Sequence, residues 1–561
     1  MRALIRPSSY LSITTPFLQP HRLRPQPFHL LRPLAHMATA QTSPAASAPV
    51  AAPAAAPQTS SNGANGNRPK RPNPSGSNRS WKQKKTKREK NITEGSSEEV
   101  LRYDIEALLE SRRSETDTPA EGAETAEAQQ DLPAEGSETD VEVLELSSTG
   151  DGLAMKPGSN QVYVVPFTVP GDVARVKVFR HLRRENQTVA DFVSIVKPSP
   201  LRDDARIQCK YFATCGGCQF QMLDYAEQLR RKRRIVDKAF RNFANLPAEL
   251  VPAILDTIGS PLQYGYRTKL TPHFDGPPGF HSRRNKGGPK PKFASCPDIG
   301  FMRKGQRKVM DIEDCPIGTD VVRQGMKRER ERMQNEFGDY QRGATILLRE
   351  NTQRYPTDAS DDAAAPPKQQ DLAPYTVRND SEFGIDIKTC ETDSKATTHE
   401  YIRNHHFTNP AGSFFQNNNS ILPVFTDYVK EHVLPPSSPS SIKYLIDAYS
   451  GSGLFTITLA SVFQHSTGID IAADSIASAR HNAQLNGLGE DRCKFIAADA
   501  GELFKNVSYD ADETTVILDP PAQRLRRRFP GSAEALWTQE GCLCELQCAY
   551  PGSRRGGPGE G

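Results

Sequence analysis

Acidic residues and glycines stand at the ends of four short apolar runs between residues 445 and 519. The first run is followed by Gly451 and Gly453, and the next three runs end at Asp470, Asp499 and Asp519. If these runs are parallel strands, their carboxyl ends meet at one edge of a sheet, where open α/β proteins bind ligands. Glycines let the backbone turn sharply and approach a ligand closely. The pattern therefore predicts a nucleotide-like binding site at this edge.

The glycine spacing limits which ligand this site can take. The turn reads Gly-x-Gly without a third glycine, and no Gly-Lys-Ser or Gly-Lys-Thr follows, so a cradle for phosphates is not indicated. Asp470 follows about 20 residues on, where such folds place a carboxylate against a ribose. A nucleoside cofactor without phosphates fits, and S-adenosylmethionine is the expected one. For the Gly-x-Gly turn taken alone, a purely structural turn is the alternative.

Three cysteines, Cys209, Cys215 and Cys218, follow the spacing C-x5-C-x2-C, and adjacent glycines allow the chain to wrap tightly. These thiols suit a metal site, with Cys315 as the expected fourth ligand and Cys296 as its competitor. All-thiolate ligation is typical of an iron–sulfur cluster or of structural zinc, and both stay open. Unligated core cysteines are the third alternative.

Several short alternating runs precede these cysteines and predict a small β-barrel. The expected strands cover residues 141–146, 161–169, 173–179 and 189–196. A basic loop follows the third strand and contains Arg180, His181, Arg183 and Arg184. A small barrel with a basic rim is a common nucleic-acid binder, and a structural barrel with solvated charges is the alternative.

Further elements connect the barrel to the glycine turn. Residues 98–112, 223–243, 421–433 and 455–462 are expected to form helices, and residues 266–270 a strand bearing two cations. Residues 351–376 are polar and contain proline, which predicts a mobile loop insertion. Residues 407–419 combine asparagine and glutamine with aromatic residues, so they offer amide groups for reading a base or positioning a cofactor.

Apart from the helix expected at residues 98–112, the first 140 residues predict targeting and disordered segments. Residues 1–36 are rich in arginine and free of acids, which resembles a mitochondrial transit peptide, and Met37 is a possible second start. The basic run at 82–88 is then a nuclear signal, an RNA-binding arm or a solvated tail. A mitochondrial location, a nuclear or cytosolic one, or both are therefore expected. The 10 cysteines are too few and too clustered for a secreted disulfide framework, and no apolar run is long enough to span a membrane.

Taken in order, these motifs resemble the RNA uracil-C5 methyltransferases, and most closely the eukaryotic and fungal tRNA enzymes that methylate the T-loop uridine at position 54. The resemblance extends from about residue 141 to residue 521. The barrel resembles the TRAM domain, Ser413-Phe414-Phe415-Gln416-Asn417 resembles the family's Phe-x-Gln-x-Asn element, and the methyltransferase core is matched by the four segments at 447–455, 470, 482–487 and 519–521.

The resemblance implies the activity and the site. A cysteine thiolate adds to C6 of uracil, C5 takes the methyl group of S-adenosylmethionine, and a general base removes the C5 proton. Gln416, Tyr449, Asp470 and Asp519 would contact S-adenosylmethionine, Asp499 would lie near the adenine, and Gly451 and Gly453 would form the turn. The four cysteines would hold a [4Fe–4S] cluster, as in the bacterial ribosomal-RNA relatives. The implied partner is tRNA. No association with a membrane is expected, and the protein is expected to be a monomer.

The chain departs from the family after Pro521. The family has its nucleophile in a Ser-Cys-Asn segment and its base in a later glutamate, and neither occurs here, so no catalytic residue is assigned. Codons can be chosen for residues 522–529 that, read one base later, encode Arg-Lys-Gly-Cys-Asp-Glu-Asp. Codons can likewise be chosen for residues 545–552 that, in the same shifted frame, encode Ser-Cys-Asn-Val-His-Thr-Gln. Both resemble the family's sequence, which favours a frameshift or a misjudged splice site after Pro521. Cys542, Cys544 and Cys548 in this aberrant tail, and Cys493, are not candidates for the nucleophile.

The expected fold is α/β, with a small TRAM-like or OB-like barrel, a central α+β domain with the cysteine cluster, and a truncated Rossmann-like class I methyltransferase domain. The expected segments are 1–36 (transit peptide), 37–139 (disordered, basic then acidic), 140–200 (barrel), 201–350 (central domain), 351–376 (insertion), 377–521 (methyltransferase domain) and 522–561 (aberrant tail). A catalytically inactive RNA binder or tRNA chaperone is the main alternative function. An amino-group methyltransferase fits less well, because Ala522 stands where those enzymes usually have an aromatic residue after Asp-Pro-Pro. A radical methylthiotransferase fits less well because of the C-x5-C-x2-C spacing and the Gly-x-Gly fold.

Overall fold

A computed structural model describes residues 96–116, 132–244, 253–280, 291–357, 366–434, 439–499 and 507–519, together with residues 247, 249 and 251. All of these described residues belong to one compact unit. The expected transit peptide, the basic run and the aberrant tail lie outside the described residues. In the described part, no helix is long and apolar enough to cross a membrane.

Five strands close into the predicted barrel in the order β1-β2-β3-β5-β4. They span Glu138–Leu146 (β1), Gly152–Met155 (β2), Val162–Val165 (β3), Val173–Leu182 (β4) and Gln187–Lys197 (β5). Strand β2 was not predicted. All four of its residues are buried, so it lacks the alternation that marks a half-exposed strand.

A helix, α1 (Ser97–Thr116), covers the outside of β2 and β3. Its buried residues Ile105, Leu108 and Leu109 pack in one cluster with Leu153 and other barrel residues. The helix predicted over residues 98–112 is confirmed, whereas the assignment of the whole range 37–139 to disorder was wrong for this segment. The helix is ordered because its apolar stripe closes the second apolar face that β2 and β3 present.

The described residues of the central part form two α-helices and six strands. They are α2 (Tyr225–Phe243), β6 (Lys269–Leu270), β7 (His273–Phe274), α3 (Asp320–Glu336), β8 (Ala344–Thr345), β9 (Leu348–Tyr355), β10 (Val377–Ser381) and β11 (Gly384–Glu391). Four strands form a sheet in the order β10-β11-β9-β6, β7 pairs with β8, and α3 packs on β9 and β11. Helix α2 begins at Tyr225 because the Asp224 carboxylate accepts a hydrogen bond from the Ala226 N–H at 2.9 Å.

Two predicted boundaries in this region are wrong. Residues 351–355, assigned to the mobile insertion, continue β9, because they pair with β11 up to the contact of Tyr355 with Ile385. Residues 377–391, assigned to the methyltransferase domain, form β10 and β11 and complete the central sheet. The middle of the insertion, residues 358–365, lies outside the described residues.

The cofactor sheet follows the hairpin β12 (Thr397–Ile402) and β13 (His405–Pro410) and helix α4 (Leu422–His432). Its elements are β14 (Tyr444–Ala448), α5 (Leu454–Thr458), β15 (His465–Asp470), α6 (Ala473–Leu485), β16 (Cys493–Ala497) and β17 (Thr514–Leu518). The four strands are parallel in the order β16-β15-β14-β17, which confirms the predicted parallel sheet. Helix α5 is shorter than expected, and its residues Thr456, Ile457 and Thr458 are β-branched types of modest helix propensity.

Candidate functional site

The turn after β14 is built around residues with a left-handed backbone. Tyr449, Gly451 and Gly453 have φ angles of 67°, 55° and 94°. A side chain at Gly453 would meet Ile457 at 2.9 Å, whereas one at Gly451 would have no atom within 4 Å. Gly453 is therefore required for packing, and Gly451 leaves open space beside the backbone where a ligand can approach.

Asp470 ties this turn to the next strand. One of its carboxylate oxygens accepts a hydrogen bond from the Gly451 N–H at 3.2 Å, and the other accepts one from the Ala472 N–H at 2.8 Å. The Ser450 N–H also donates to the Ile469 carbonyl at 3.0 Å. The structure thus brings together Tyr449, Gly451, Gly453 and Asp470, four of the predicted cofactor residues.

A buried carboxyl group, Asp447, lies beneath the turn and was not on the list of predicted cofactor contacts. One oxygen accepts hydrogen bonds from the Thr456 N–H at 3.0 Å and hydroxyl at 2.6 Å, while the other oxygen is buried without a partner among the described residues. Burial raises the pKa of Asp447 to about 7; the charges of Asp519 and Asp470 act in the same direction, and the hydrogen bonds from Thr456 act against it. Burial also raises the pKa of Asp519. Three carboxyl groups therefore lie close enough to affect one another, and their ionised forms would favour a cationic ligand.

The remaining predicted residue of this sheet, Asp499, follows β16. The end of that strand, Ala497, pairs with Asp470, so Asp499 lies at the same carboxyl edge. Asp519 directly follows β17, whose Leu518 pairs with Ala448. The sheet register thus aligns all four predicted strand ends.

Asn482 of α6 is a second residue that the site prediction missed, although it belongs to the segment 482–487 that resembles the family. It is fully buried, donates to the Ser452 carbonyl at 3.1 Å, and accepts hydrogen bonds from the Thr408 N–H and hydroxyl. It therefore joins the glycine turn to β13. A buried asparagine in an apolar helix face was the available signal, since buried amides are held by hydrogen bonds.

The predicted residue Gln416 lies on a segment between β13 and α4 rather than on the cofactor sheet. Its neighbour Phe415 is buried and packs in the same apolar cluster as Leu454, the first residue of α5. Phe414 projects outward and is 73% exposed. The segment therefore sits against the helix that follows the glycine turn, with one aromatic ring inside the protein and one in solvent.

The four predicted thiols converge. Burial, together with the charges of Cys218, Cys209 and Cys215, raises the pKa of Cys315 to about 12. Cys296, the competitor, has Arg330 and Asp311 as its charged neighbours. Nevertheless, no group of three or more histidine, cysteine, aspartate or glutamate side chains in the described part of the chain is arranged to hold a metal ion. The charges of the other three thiols thus act on Cys315 rather than on Cys296, although both pack in one cluster with Cys215. The described residues do not support the predicted iron–sulfur cluster or zinc site.

One short segment connects the thiols to the Gln416 segment. The Gly265 and Arg267 N–H groups donate to the Pro316 and Ile317 carbonyls, next to Cys315. On its other side, the Thr268 N–H donates to the Asn417 carbonyl at 2.8 Å. Residues 265–269 thus link the two regions through backbone hydrogen bonds.

The basic rim of the barrel is smaller than predicted. His181 is tied inward, with its two ring nitrogens 2.8 Å from the Thr188 hydroxyl and the Pro133 carbonyl. Arg183 and Arg184 are exposed and form no ion pair with another described residue. Phe179, two residues before His181, is 64% exposed. Arg180 is half-buried. Arg183 and Arg184 are therefore the exposed cations of the predicted basic loop, with Phe179 as an exposed aromatic surface beside them.

Comparison with known proteins places this site in a class. The family model described as "RNA cap guanine-N2 methyltransferase" matches residues 442–523, and the TRAM domain model matches residues 134–184. The parallel sheet, the glycine turn and the acids at its edge are those of a class I S-adenosylmethionine-dependent methyltransferase, here joined to a TRAM domain.

Whole-chain relatives narrow the class. The chain is 38% identical to the tRNA (uracil(54)-C(5))-methyltransferase of Schizosaccharomyces pombe over 80% of this chain and 75% of the relative. It is also 38% identical to the Saccharomyces cerevisiae enzyme of that name, over 68% of this chain and 62% of the relative. A crystal structure of Pyrococcus abyssi tRNA (uracil-54, C5)-methyltransferase with S-adenosyl-L-homocysteine is 23% identical, covers 68% of this chain and 84% of that one, and has a TM-score of 0.42. The chain belongs to the RNA uracil-C5 methyltransferase family.

Proposed function

We propose that this protein transfers a methyl group from S-adenosylmethionine to C5 of the T-loop uridine at position 54 of tRNA. The observation that carries the proposal is the acidic glycine turn, with Asp447, Asp470 and Asp519 converging at one sheet edge. S-adenosylmethionine supplies an electrophilic methyl group on a sulfonium cation, and carboxylates stabilise a cation. The names of the two yeast relatives provide the RNA and the base.

Each part of the site has a proposed task. Asp470 binds the ribose, Asp499 lies by the adenine, and Gln416 and Tyr449 contact the methionine part or the transferred methyl. Asp519 orients the groups at the end of β17. The exposed Phe414 ring stacks on the target base after that base has flipped out of the RNA stack. Flipping is needed because the enzyme cannot reach the target atom of a base that is still stacked.

The covalent step needs a nucleophile that residues 1–521 do not supply in the family's position. We propose that a Ser-Cys-Asn segment encoded in the shifted frame after Pro521 provides it. A thiolate there adds to C6, and C5 takes the methyl group as its bond to the sulfonium sulfur breaks and S-adenosylhomocysteine is released. A base then removes the C5 proton, and the thiolate leaves C6. The genomic DNA tests this directly, and a shifted frame lacking either predicted segment would remove the hypothesis.

The decisive experiment compares this chain with a version whose tail is restored in the shifted frame. Both are incubated with labelled S-adenosylmethionine and unmodified tRNA, and the nucleosides are identified by mass spectrometry. Methylation of the T-loop uridine by the restored version alone is the expected result. Activity of both versions would contradict the placement of the nucleophile. Inactivity of both folded versions would favour an RNA-binding protein or tRNA chaperone.

The match of residues 442–523 to a guanine-N2 family model supports a second candidate, methylation of an amino group. That match covers the cofactor sheet and omits the barrel and the Gln416 segment. Because the cofactor sheet binds the methyl donor rather than the RNA, the uracil proposal takes precedence. Appearance of N2-methylguanosine instead of 5-methyluridine in the same assay would reverse this order.

Occupation of the four thiols by a [4Fe–4S] cluster or zinc is a separate proposal. The convergence of Cys209, Cys215, Cys218 and Cys315 supports it, since four thiolates are a ligand set for either. The ligands would have to turn toward one another, because the described geometry holds no such group. Iron, zinc and acid-labile sulfide are measured per chain after anaerobic purification, and traces of all three would end the proposal.

The proposed location and organisation follow the sequence expectations. We propose a mitochondrial form that starts at Met1 and a nuclear or cytosolic form that starts at Met37. Fluorescent fusions of each start test this, and one location for both would contradict it. Each form is proposed to act as a monomer, with the barrel binding tRNA and residues 392–521 binding the methyl donor. Light scattering of the purified protein measures the oligomeric state.

A further inference from the structure

Arg349 of β9 is the largest fully buried side chain among the described residues, with 1% of its surface exposed. An arginine at such a position is costly, because its charge leaves water and is repaid only by good partners. Replacement of a buried ion pair by apolar residues is often neutral for stability. The presence of a buried arginine therefore calls for a role other than holding the fold together.

The guanidinium group of Arg349 joins the central sheet to the Gln416 segment. One terminal nitrogen donates to the Asn417 side-chain oxygen at 3.3 Å, and the other donates to the buried Glu400 carboxylate on β12. Its third nitrogen, Nε, is buried without a partner in the described part of the chain, and so is the second Glu400 oxygen. The geometry satisfies the contact with Asn417 while leaving other polar groups unpaired.

The same segment is held at its other end. The Lys269 ammonium group donates to the Gly412 and Ser413 carbonyls, both at 3.0 Å. At the Asn417 end, the Thr268 hydroxyl also donates to the Asn417 carbonyl, at 3.2 Å. Lys269 pairs with Arg349 across β6 and β9, so both cations project from one place in the central sheet. The segment 412–417 is therefore clamped at its two ends by neighbouring residues.

Gln416 lies between these two clamps. Its side chain makes no hydrogen bond to another described residue, while Phe415 next to it is packed with Leu454 below the glycine turn. A side chain that is free to bind a ligand but is carried on fixed backbone is what a preorganised contact requires.

We propose that Arg349 is a positioning residue for methyl-donor binding: its hydrogen bond to Asn417 fixes the backbone that carries Gln416 beside the glycine turn. The proposal rests on the proposed function, because it assigns S-adenosylmethionine to this site. Lys269 acts with Arg349 as the second clamp. Neither side chain touches the donor itself.

The test measures binding of S-adenosylmethionine and S-adenosylhomocysteine by calorimetry, together with the melting temperature. Asn417→Leu removes the link while leaving the buried Arg349–Glu400 pair, and is expected to weaken binding of both ligands about tenfold. It should also lower the melting temperature modestly, because it leaves one buried Arg349 N–H group unpaired. Arg349→Met combined with Glu400→Gln removes the link from the other side without leaving a buried charge unpaired. Adding Asn417→Leu to that double variant is expected to cause no further loss, because one link is broken only once.

Arg354→Met combined with Asp386→Asn is the matched control. Arg354 lies on the same strand and makes an ion pair with Asp386 at 2.7 Å. This pair is more exposed than Arg349–Glu400, at 15% and 8% against 1% and 4%, and Arg354 also donates to the Arg403 carbonyl rather than to the Gln416 segment. Its removal is expected to lower the melting temperature while donor affinity stays within about twofold. Equal loss of affinity in the control, or unchanged affinity in folded Asn417→Leu, would overturn the positioning role. Failure of the folded wild-type protein to bind either ligand would instead remove the proposed function, and with it this inference.

Discussion

At the scale of single residues, the site depends on charges whose protonation is set by burial. The strand-end acids could be read from the sequence because each follows an apolar run. Their protonation could not, because the pKa of Asp447 depends on how completely the turn, Thr456 and the other two carboxyl groups enclose it. Binding of S-adenosylmethionine, which carries a positively charged sulfur, should therefore depend on whether Asp447 is protonated.

We predict that affinity for S-adenosylmethionine rises about tenfold between pH 6 and pH 8, because Asp447 ionises with a pKa of about 7 and the carboxylate favours a cation. S-adenosylhomocysteine, which lacks the charge, should bind with little pH dependence. Calorimetry at several pH values measures both, and Asp447→Asn should remove the rise. Parallel pH profiles for the two ligands would contradict the prediction.

The raised pKa of Asp447 also predicts how the stability of the ligand-free protein depends on pH, and this stability should fall, rather than rise, with increasing pH. The folded pKa of Asp447 lies above its ordinary value of 3.8, so the folded state binds the proton more tightly than the unfolded state. Its contribution to stability is therefore complete below about pH 4 and is lost as the pH rises through about 7. Urea unfolding without ligand should give a smaller decline from pH 5 to pH 8 in Asp447→Asn than in the wild type.

Two adjacent aromatic residues should separate RNA binding from folding. Phe414 is 73% exposed and Phe415 is 3% exposed. Phe414→Ala should leave the melting temperature unchanged and weaken tRNA binding by about 1–3 kcal/mol, the contribution of one stacked base. Phe415→Ala should instead lower the free energy of unfolding by about 3 kcal/mol through the cavity it leaves. Band-shift titration and urea unfolding of both variants check this, and equal tRNA affinity for Phe414→Ala and wild type would contradict the stacking role.

At the scale of elements, α1 is the part whose role the sequence left open. Its Asp104 is 1% exposed and accepts hydrogen bonds from the Ser148 N–H at 2.6 Å and from Lys238 of α2 at 2.9 Å. One carboxylate thus joins α1, the barrel and α2. The helix is a structural element of the barrel rather than part of a linker.

Asp104→Ala should therefore destabilise the protein by about 3 kcal/mol, because it leaves a buried N–H unpaired and removes one partner of a buried lysine. Hydrogen exchange should rise together in α1 and in β2. The exposed pair Arg102–Glu106, on the same helix, is the control, and Glu106→Ala should change stability by less than about 1 kcal/mol. An equally small effect of Asp104→Ala would mean that α1 is held by apolar contacts alone.

Sequence patterns correctly predicted the elements whose burial follows a local apolar run or alternation. Strands β14 to β17 and most barrel strands have apolar alternation or apolar runs that survive in the fold. Strand β2 was missed because it is buried on both faces, and β10 and β11 were assigned to the wrong domain because pairing with β9 is a long-range choice. Asn482 and Arg349 were missed for the same reason, since their partners lie far away in the sequence.

At the scale of the whole molecule, formal charge says little about RNA binding, because the chain carries 71 basic and 67 acidic residues. What matters is which cations lack acidic partners. The basic residues of α2 are largely engaged, for example Arg231 with Glu227 and Arg234 with Glu145 of the barrel. Helix α2 is therefore fastened to the barrel by its charges, and the exposed rim is left as the better candidate for contact with phosphates.

This distribution predicts how salt should act on tRNA binding. Each cation that neutralises a phosphate releases counterions, so removing two such cations should lower the slope of log affinity against log salt by about 1.4 to 1.8. Arg183→Ala combined with Arg184→Ala should produce that change and leave donor affinity unaltered. Arg175→Ala on the same barrel is the control, because Arg175 is already paired with Asp140 through two hydrogen bonds of 2.9 and 3.0 Å. A slope that changes in Arg175→Ala as much as in the rim variant would show that overall charge, rather than the rim, governs binding.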